Sequence, residues 1–370
     1  MRSSNPVPRR RLALAALAVM LGAASASAAV PTDAAWTDRV VASGEASSAT
    51  RSRIAELAAV ASRGTAELLV DPTPGGDAFV LTPQRLWRVA AHGGASVVVG
   101  YAHPVQTGTC VPAVAGAVYL DYAPYGSWFE EGVVYAADDN CSIIWRIDTA
   151  TREATILAGA SGELGHADGI GGAARFYGPA WLAADPVAGQ LWATEWIPPN
   201  GYRVRRIDPS NGAVTTVSIP QSLCPGPDVG IEQLEFTADG RMYGVVKTPN
   251  HECMRPVWID RTTMALSPIP IPDDADWWTV LDSSDGRAWF FVQSSQYTSC
   301  RIIAVALTND ASTVFGVHGA PCAWPPSGTE MTASTPIGLA YDAVVAPDGR
   351  AWFSLDGRGG TLIYRVAPEW

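Results

Sequence analysis

Positive charge is scarce in this chain: lysine and arginine together number 25 against 36 acidic residues, and charged residues make up 16% of the 370 positions. A formal charge of −11 leaves no basic face for nucleic acid or an anionic membrane, both of which need clustered cations. Beyond the first residues, no apolar run approaches the ~20 residues of a membrane-spanning helix. There is no G-x-S-x-G elbow, no H-E-x-x-H and no phosphate loop. The stretch GIGG at Gly169–Gly172 lacks the strand-to-helix setting of a nucleotide site. No two of the six cysteines stand at C-x-x-C spacing, which argues against a thiolate metal centre. No cofactor is predicted.

What is present begins with a processing signal. Arg9-Arg10-Arg11 precede an uncharged apolar run, Leu12–Gly22, and Ala26-Ser27-Ala28 has the small-x-small form of a cleavage site. Residues 1–28 are read as a secretory signal peptide, with a twin-arginine export signal as the less common alternative. Cleavage removes four arginines and no acid, which moves the formal charge from −11 to −15. The mature chain is expected in the periplasm or outside the cell.

A repeat fills the remainder. The hexapeptide DGRAWF occurs at Asp285–Phe290 and again at Asp348–Phe353. A glycine followed three residues later by an aromatic recurs at Gly76–Phe79, Gly132–Tyr135, Gly189–Trp192, Gly240–Tyr243, Gly286–Trp289 and Gly349–Trp352. The intervals between these glycines are 56, 57, 51, 46 and 63 residues, and a near-constant period marks a structural unit. Asp-Gly after proline is turn chemistry. Short apolar runs lie on both sides, so each glycine is read as closing a hairpin between a first and a second strand.

A third run recurs after each pair: LWRVA, IWRID, VRRID, VWID, IIAV and IYRV. A fourth follows most of them. Four antiparallel strands repeated six times predict an all-β, six-bladed β-propeller over residues 64–370, its aromatics packing blade on blade. The last unit runs out at its third strand. Residues 29–63 are therefore expected to supply the missing one and close the ring, from Asp38–Ser43 or alternatively Glu56–Ser62. Otherwise Ser48–Ser62 reads as a short serine-capped helix.

Antiparallel strands put successive connections at alternating ends. Cys141, Cys253 and Cys300 fall between second and third strands, and Cys110, Cys224 and Cys322 fall between blades. That places all six on one face, called the top. An even number of cysteines in an exported chain suggests disulfides, and adjacency favours Cys110–Cys141, Cys224–Cys253 and Cys300–Cys322 among fifteen connectivities.

The segment Leu157–Thr216 resembles the NHL repeat. The matching residues are Ala158-Gly159, Asp168-Gly169, Ala174, Phe176, Pro179, Leu182-Ala183, Asp185, Gly189, Arg205, Ile207 and Gly212. Glu195 stands where the family usually has Asp, and Asp138 keeps that acid in the preceding blade. The resemblance implies a six-bladed propeller. Related propellers include binding scaffolds as well as gluconolactonase-like and strictosidine-synthase-like hydrolases and peptidyl-hydroxyglycine lyases, so the fold leaves the activity open.

Candidate chemistry gathers on the top face. His103, His166 and His318 in blade-to-blade loops, with His251, form a candidate zinc set. Asp138, Asp139 and Glu195 end second strands, while Glu232, Asp274 and Asp276 precede or begin first strands. Such carboxylates suit calcium. The competing reading has the strand-end acids capping backbone amides of neighbouring loops, and Asp148, Asp208 and Asp260 forming turns on the opposite face. The expected function is a binding scaffold for a protein, peptide or glycan, acting as a monomer through its top face. The alternative is a metal-assisted hydrolase or lyase using calcium or zinc at the same place.

Overall fold

The computed structural model describes residues 40–42, 54–60, 67–70, 77–82, 85–89, 95–100, 110, 127–197, 201–219, 223–224, 230–248, 253–270, 277–281, 286–293, 300–306, 311–315, 340–345, 351–357 and 360–366. Among these there is no α-helix, and every long element is a strand.

Two strands, β1 (Val40–Ala42) and β2 (Ile54–Val60), precede the repeats. The first sheet holds β3 (Glu67–Val70), β4 (Ala78–Thr82), β5 (Arg85–Val89) and β6 (Ala95–Gly100). The second holds β7 (Ser127–Glu130), β8 (Val133–Asp138), β9 (Ile143–Asp148) and β10 (Glu153–Gly159). A short β11 (Gly169–Ile170) joins the outer edge of the third sheet, made of β12 (Pro179–Asp185), β13 (Gln190–Ile197), β14 (Gly201–Asp208) and β15 (Ala213–Val217). The fourth contains β16 (Gly230–Phe236), β17 (Met242–Lys247), β18 (Met254–Ile259) and β19 (Leu266–Pro268). The fifth contains β20 (Trp277–Leu281), β21 (Ala288–Gln293), β22 (Cys300–Val305) and β23 (Ala311–Phe315). The last is built from β24 (Ala340–Val345), β25 (Ala351–Gly357) and β26 (Gly360–Val366).

The N-terminal strands complete that last sheet. β2 pairs antiparallel with β26, and β1 pairs outside β2, giving the order β1-β2-β26-β25-β24. The strand beside β26 thus comes from the second candidate segment, while Asp38–Ser43 contributes the outermost strand. The helix expected over Ser48–Ser62 is replaced by β2 across Ile54–Val60. Local helix propensity loses here to an unpaired strand edge, whose open amides and carbonyls β2 satisfies.

The repeat glycines sit where hairpins turn. Gly132, Gly189 and Gly240 have φ of +83°, +61° and +80°, a region that side chains resist. The repeat aromatics are core: Phe79, Tyr135, Trp192, Tyr243 and Trp289 are all buried. They join neighbouring sheets, Phe79 stacking on Phe129 at 4.7 Å, Trp192 meeting Phe236 at 6.1 Å and Tyr243 meeting Phe290 at 5.6 Å. Apolar clusters accordingly lie between adjacent sheets rather than within one. First strands neighbour one another in sequence order, β3 by β7, β7 by β12, β12 by β16, β16 by β20 and β20 by β24, and β24 lies against β3.

Candidate functional site

The strand-end acids are held by their surroundings. Asp138, the last residue of β8, accepts the Cys141 N–H at 2.9 Å and the Trp145 indole N–H at 3.1 Å. Burial pushes its carboxyl up to about 6, against the pull of those hydrogen bonds. Glu195 near the end of β13 is fully buried; it pairs with Arg205 at 2.8 Å and accepts the Tyr177 N–H at 2.7 Å. Both acids therefore cap amides of the adjoining loop, and neither points into a shared cation site.

Arg205 extends the same network. Its guanidinium is buried above the Phe176 ring at 5.0 Å and bonds the Arg175 and Ala167 carbonyls, both at 3.0 Å. It also meets Asp168 at 3.1 Å. Burial works against the Asp168 carboxylate, but Thr216 and Arg205 outweigh it and hold its pKa below the usual value. The residues that carried the NHL resemblance thus bind the loop from β10 to β12 onto the third sheet.

Of the histidines, His166 stacks on Tyr177 at 5.6 Å, while His103, His251 and His318 lie outside the described residues, as do Asp274 and Asp276. Among the described residues, no three His, Cys, Asp or Glu side chains converge as metal ligands would. Asp148 and Asp260 each accept two backbone amides of their own turns, and Asp208 accepts the Ser210 amide and hydroxyl. These bonds lower all three carboxyl pKa values.

Cys224 and Cys253 form a disulfide across 29 residues of sequence. Cys300 is also disulfide-bonded, and its expected partner Cys322 lies outside the described residues. Cys110 and Cys141, expected to be bonded to each other, are instead free thiols in hydrogen-bond contact. The topology brings them together as adjacency required, but proximity alone makes no bond: closing one removes two electrons.

Beside the Cys224–Cys253 bridge lies a cluster that sequence reasoning only partly found. β16 carries a β-bulge between Ile231 and Gln233, which leaves Glu232 out of the ladder. Bulges re-aim side chains in this way. Glu232 Oε1 receives the Lys247 ammonium at 2.6 Å and the Tyr202 hydroxyl at 2.9 Å. Its backbone carbonyl takes the Thr194 hydroxyl at 2.6 Å. The seam between third and fourth sheets is tight here: a Cβ on Gly230 would stand 2.6 Å from the Tyr202 carbonyl oxygen. Lys247 is 2% exposed and Glu232 22%. Burial, then the Glu232 charge, raises the Tyr202 pKa. Glu232 Oε2 finds no donor among the described residues.

Thr248, next to Lys247, is bound to Cys253 through backbone and hydroxyl contacts at 3.0 Å, so the disulfide anchors the lysine's end of β17. Lys247 and Tyr202 had drawn no attention. The available signal was compositional: Lys247 is the only lysine in the whole chain, the other basic residues being arginines.

No protein-family model matches the chain, and no curated protein matches it. Among solved structures it is similar to an auxiliary nutrient binding protein of Bacteroides thetaiotaomicron, at 13% identity and TM-score 0.50, over 82% of this chain and 69% of that one. It is also similar to a gluconolactonase of Xanthomonas campestris, at 13% identity and TM-score 0.48, over 93% and 98% of the two chains. An oligogalacturonate lyase in complex with manganese shows 12% identity and TM-score 0.45, over 79% and 85%. Likeness at such identity concerns the fold. With antiparallel sheets whose first strands adjoin in sequence order, the class is that of the β-propellers.

Proposed function

We propose that the chain is an exported, NHL-like propeller of six blades, closed into a ring by its N-terminal strands, and that it works as a binding scaffold through its top face. In this reading residues 1–28 are the signal peptide, and the mature protein is periplasmic or secreted. No helix among the described residues is long and apolar enough to cross a membrane.

The observation that carries the reading is the Glu232 carboxylate on a first strand, locked by Lys247 and Tyr202 beside a disulfide. A fixed acceptor needs no reordering when a ligand arrives, so less binding energy is lost to entropy. With the lysine charge balancing it, the carboxylate suits neutral donors, the hydroxyls of a glycan or the amides of a peptide, better than a free cation.

The test is a screen of purified protein against immobilised glycans and peptides. Binding is expected, and Glu232→Gln should weaken it about 10-fold to 100-fold, the range of a hydrogen bond to a charged group. Lack of binding to either panel overturns the reading. So does a bound calcium or zinc ion whose chelation abolishes a hydrolase or lyase activity.

A further inference from the structure

The thiol pair belongs to the second sheet, whereas the Glu232 cluster joins the third and fourth, and the surroundings of the pair are specific. Cys141 sits in the β8–β9 turn, where its backbone N–H donates to the Asp138 carboxylate at 2.9 Å. Cys110 precedes the second sheet and meets the Cys141 thiol from the other side, its own S–H reaching the Asn140 carbonyl at 3.4 Å. Gly162 backs both: its N–H donates to the Cys141 carbonyl at 2.9 Å, and a Cβ there would touch Cys110 Cβ at 3.8 Å. The result is one chain of contacts, from a partly exposed sulfur to a buried sulfur to a buried acid.

We propose that Cys110, Cys141 and Asp138 form a thiol–disulfide exchange site. Cys110 is the attacking sulfur, Cys141 the resolving sulfur, and Asp138 the acceptor of the Cys141 proton. The oxidant is an external disulfide, small or protein-borne. The Cys110 thiolate attacks it and expels one of its sulfurs as a thiolate. Cys141 then gives its proton to Asp138 and attacks Cys110 in the mixed disulfide, expelling the second sulfur. Two thiols here become one disulfide, the external disulfide becomes two thiols, and the protons pass to the departing thiolates.

The asymmetry of exposure sets the roles. Only the more exposed sulfur can meet an external disulfide, and thiol reactivity depends on access as well as on thiolate content. Cys141 is 2% exposed. Burial, then the Asp138 charge, keeps its proton on, so it reacts only when a mixed disulfide is presented beside it and a base is in contact. Asp138 holds the backbone N–H of the residue that must lose the proton, at 2.9 Å, and burial favours the carboxyl that results. Asp139 is the further charge acting on Asp138.

The experiment equilibrates the full protein in buffers of varied reduced and oxidised glutathione, then maps thiols by alkylation and mass spectrometry. The Cys110–Cys141 pair should pass between dithiol and disulfide within the series while Cys224–Cys253 stays bonded. Cys141→Ser should trap glutathione on Cys110, and Cys110→Ser should leave Cys141 unmodified. Asp138→Asn should slow disulfide formation about 100-fold, as loss of a general base does. A pair bonded at every ratio is a structural bridge and overturns the proposal, as does a pair that never bonds or one that takes glutathione first on Cys141. An unchanged rate in folded Asp138→Asn removes the acid from the mechanism. Should that variant fail to fold, the two cysteine variants still decide the sulfur roles.

Discussion

Arg205 shows how a single side chain can hold a whole loop. It reaches Glu195, Asp168 and two carbonyls of the segment between β10 and β12 while lying over Phe176. None of these partners replaces another, because each fixes a different stretch of backbone. Arg205→Met keeps the volume and removes the charge, leaving Glu195 ionised in a dry site. The expected cost is about 3–5 kcal/mol, the range for breaking a buried pair, read from urea denaturation. Adding Glu195→Gln should recover part of it, since the stranded charge disappears. A loss below ~1 kcal/mol in the single variant would mean that water reaches Glu195.

At the scale of elements, hairpins were legible, and so was the need for an N-terminal strand in the last sheet, but not which segment would lie beside β26. A turn between β7 and β8 or between β12 and β13 needs only glycine, Asp or Asn and two apolar flanks, all within a dozen residues. The fate of Ile54–Val60 depends on β26, some three hundred residues further on, and no local pattern announces that pairing. A chain beginning at Ala61 would lack β1 and β2 and leave the β26 edge bare. Unpaired edges recruit other chains, so this truncation is expected to self-associate in analytical ultracentrifugation where the longer chain does not. Equal monomer content in both would show that β2 is dispensable.

Across the whole molecule, stability resides in seams between sheets. The buried aromatics lie there, the Tyr202–Glu232–Lys247 cluster spans one of them, and the Cys224–Cys253 bridge ties down the fourth sheet. Cross-linking over 29 residues is worth about 3–4 kcal/mol through the entropy of the unfolded chain. The double change Cys224→Ser/Cys253→Ser should lose that much and speed hydrogen exchange near the β17–β18 turn. A smaller loss with unchanged exchange would assign the anchoring of Lys247 to Thr248 and the strand ladder alone.

The sequence by itself determined the repeat, its strands and the turn role of Asp148, Asp208 and Asp260. All of these follow from contacts a few residues apart or from strand alternation, which composition and spacing record directly. Tertiary structure decided the rest. Glu195 became a cap because the Tyr177 N–H, from the loop before β12, reached it. Glu232 became the partly buried centre of a charge cluster because a bulge turned it toward Lys247 and Tyr202 of the adjacent sheet. Cys110 and Cys141 met with an acid behind them. Each depends on groups distant in sequence brought within about 3 Å of one another, a distance at which bonding is set by exact placement and not by residue type.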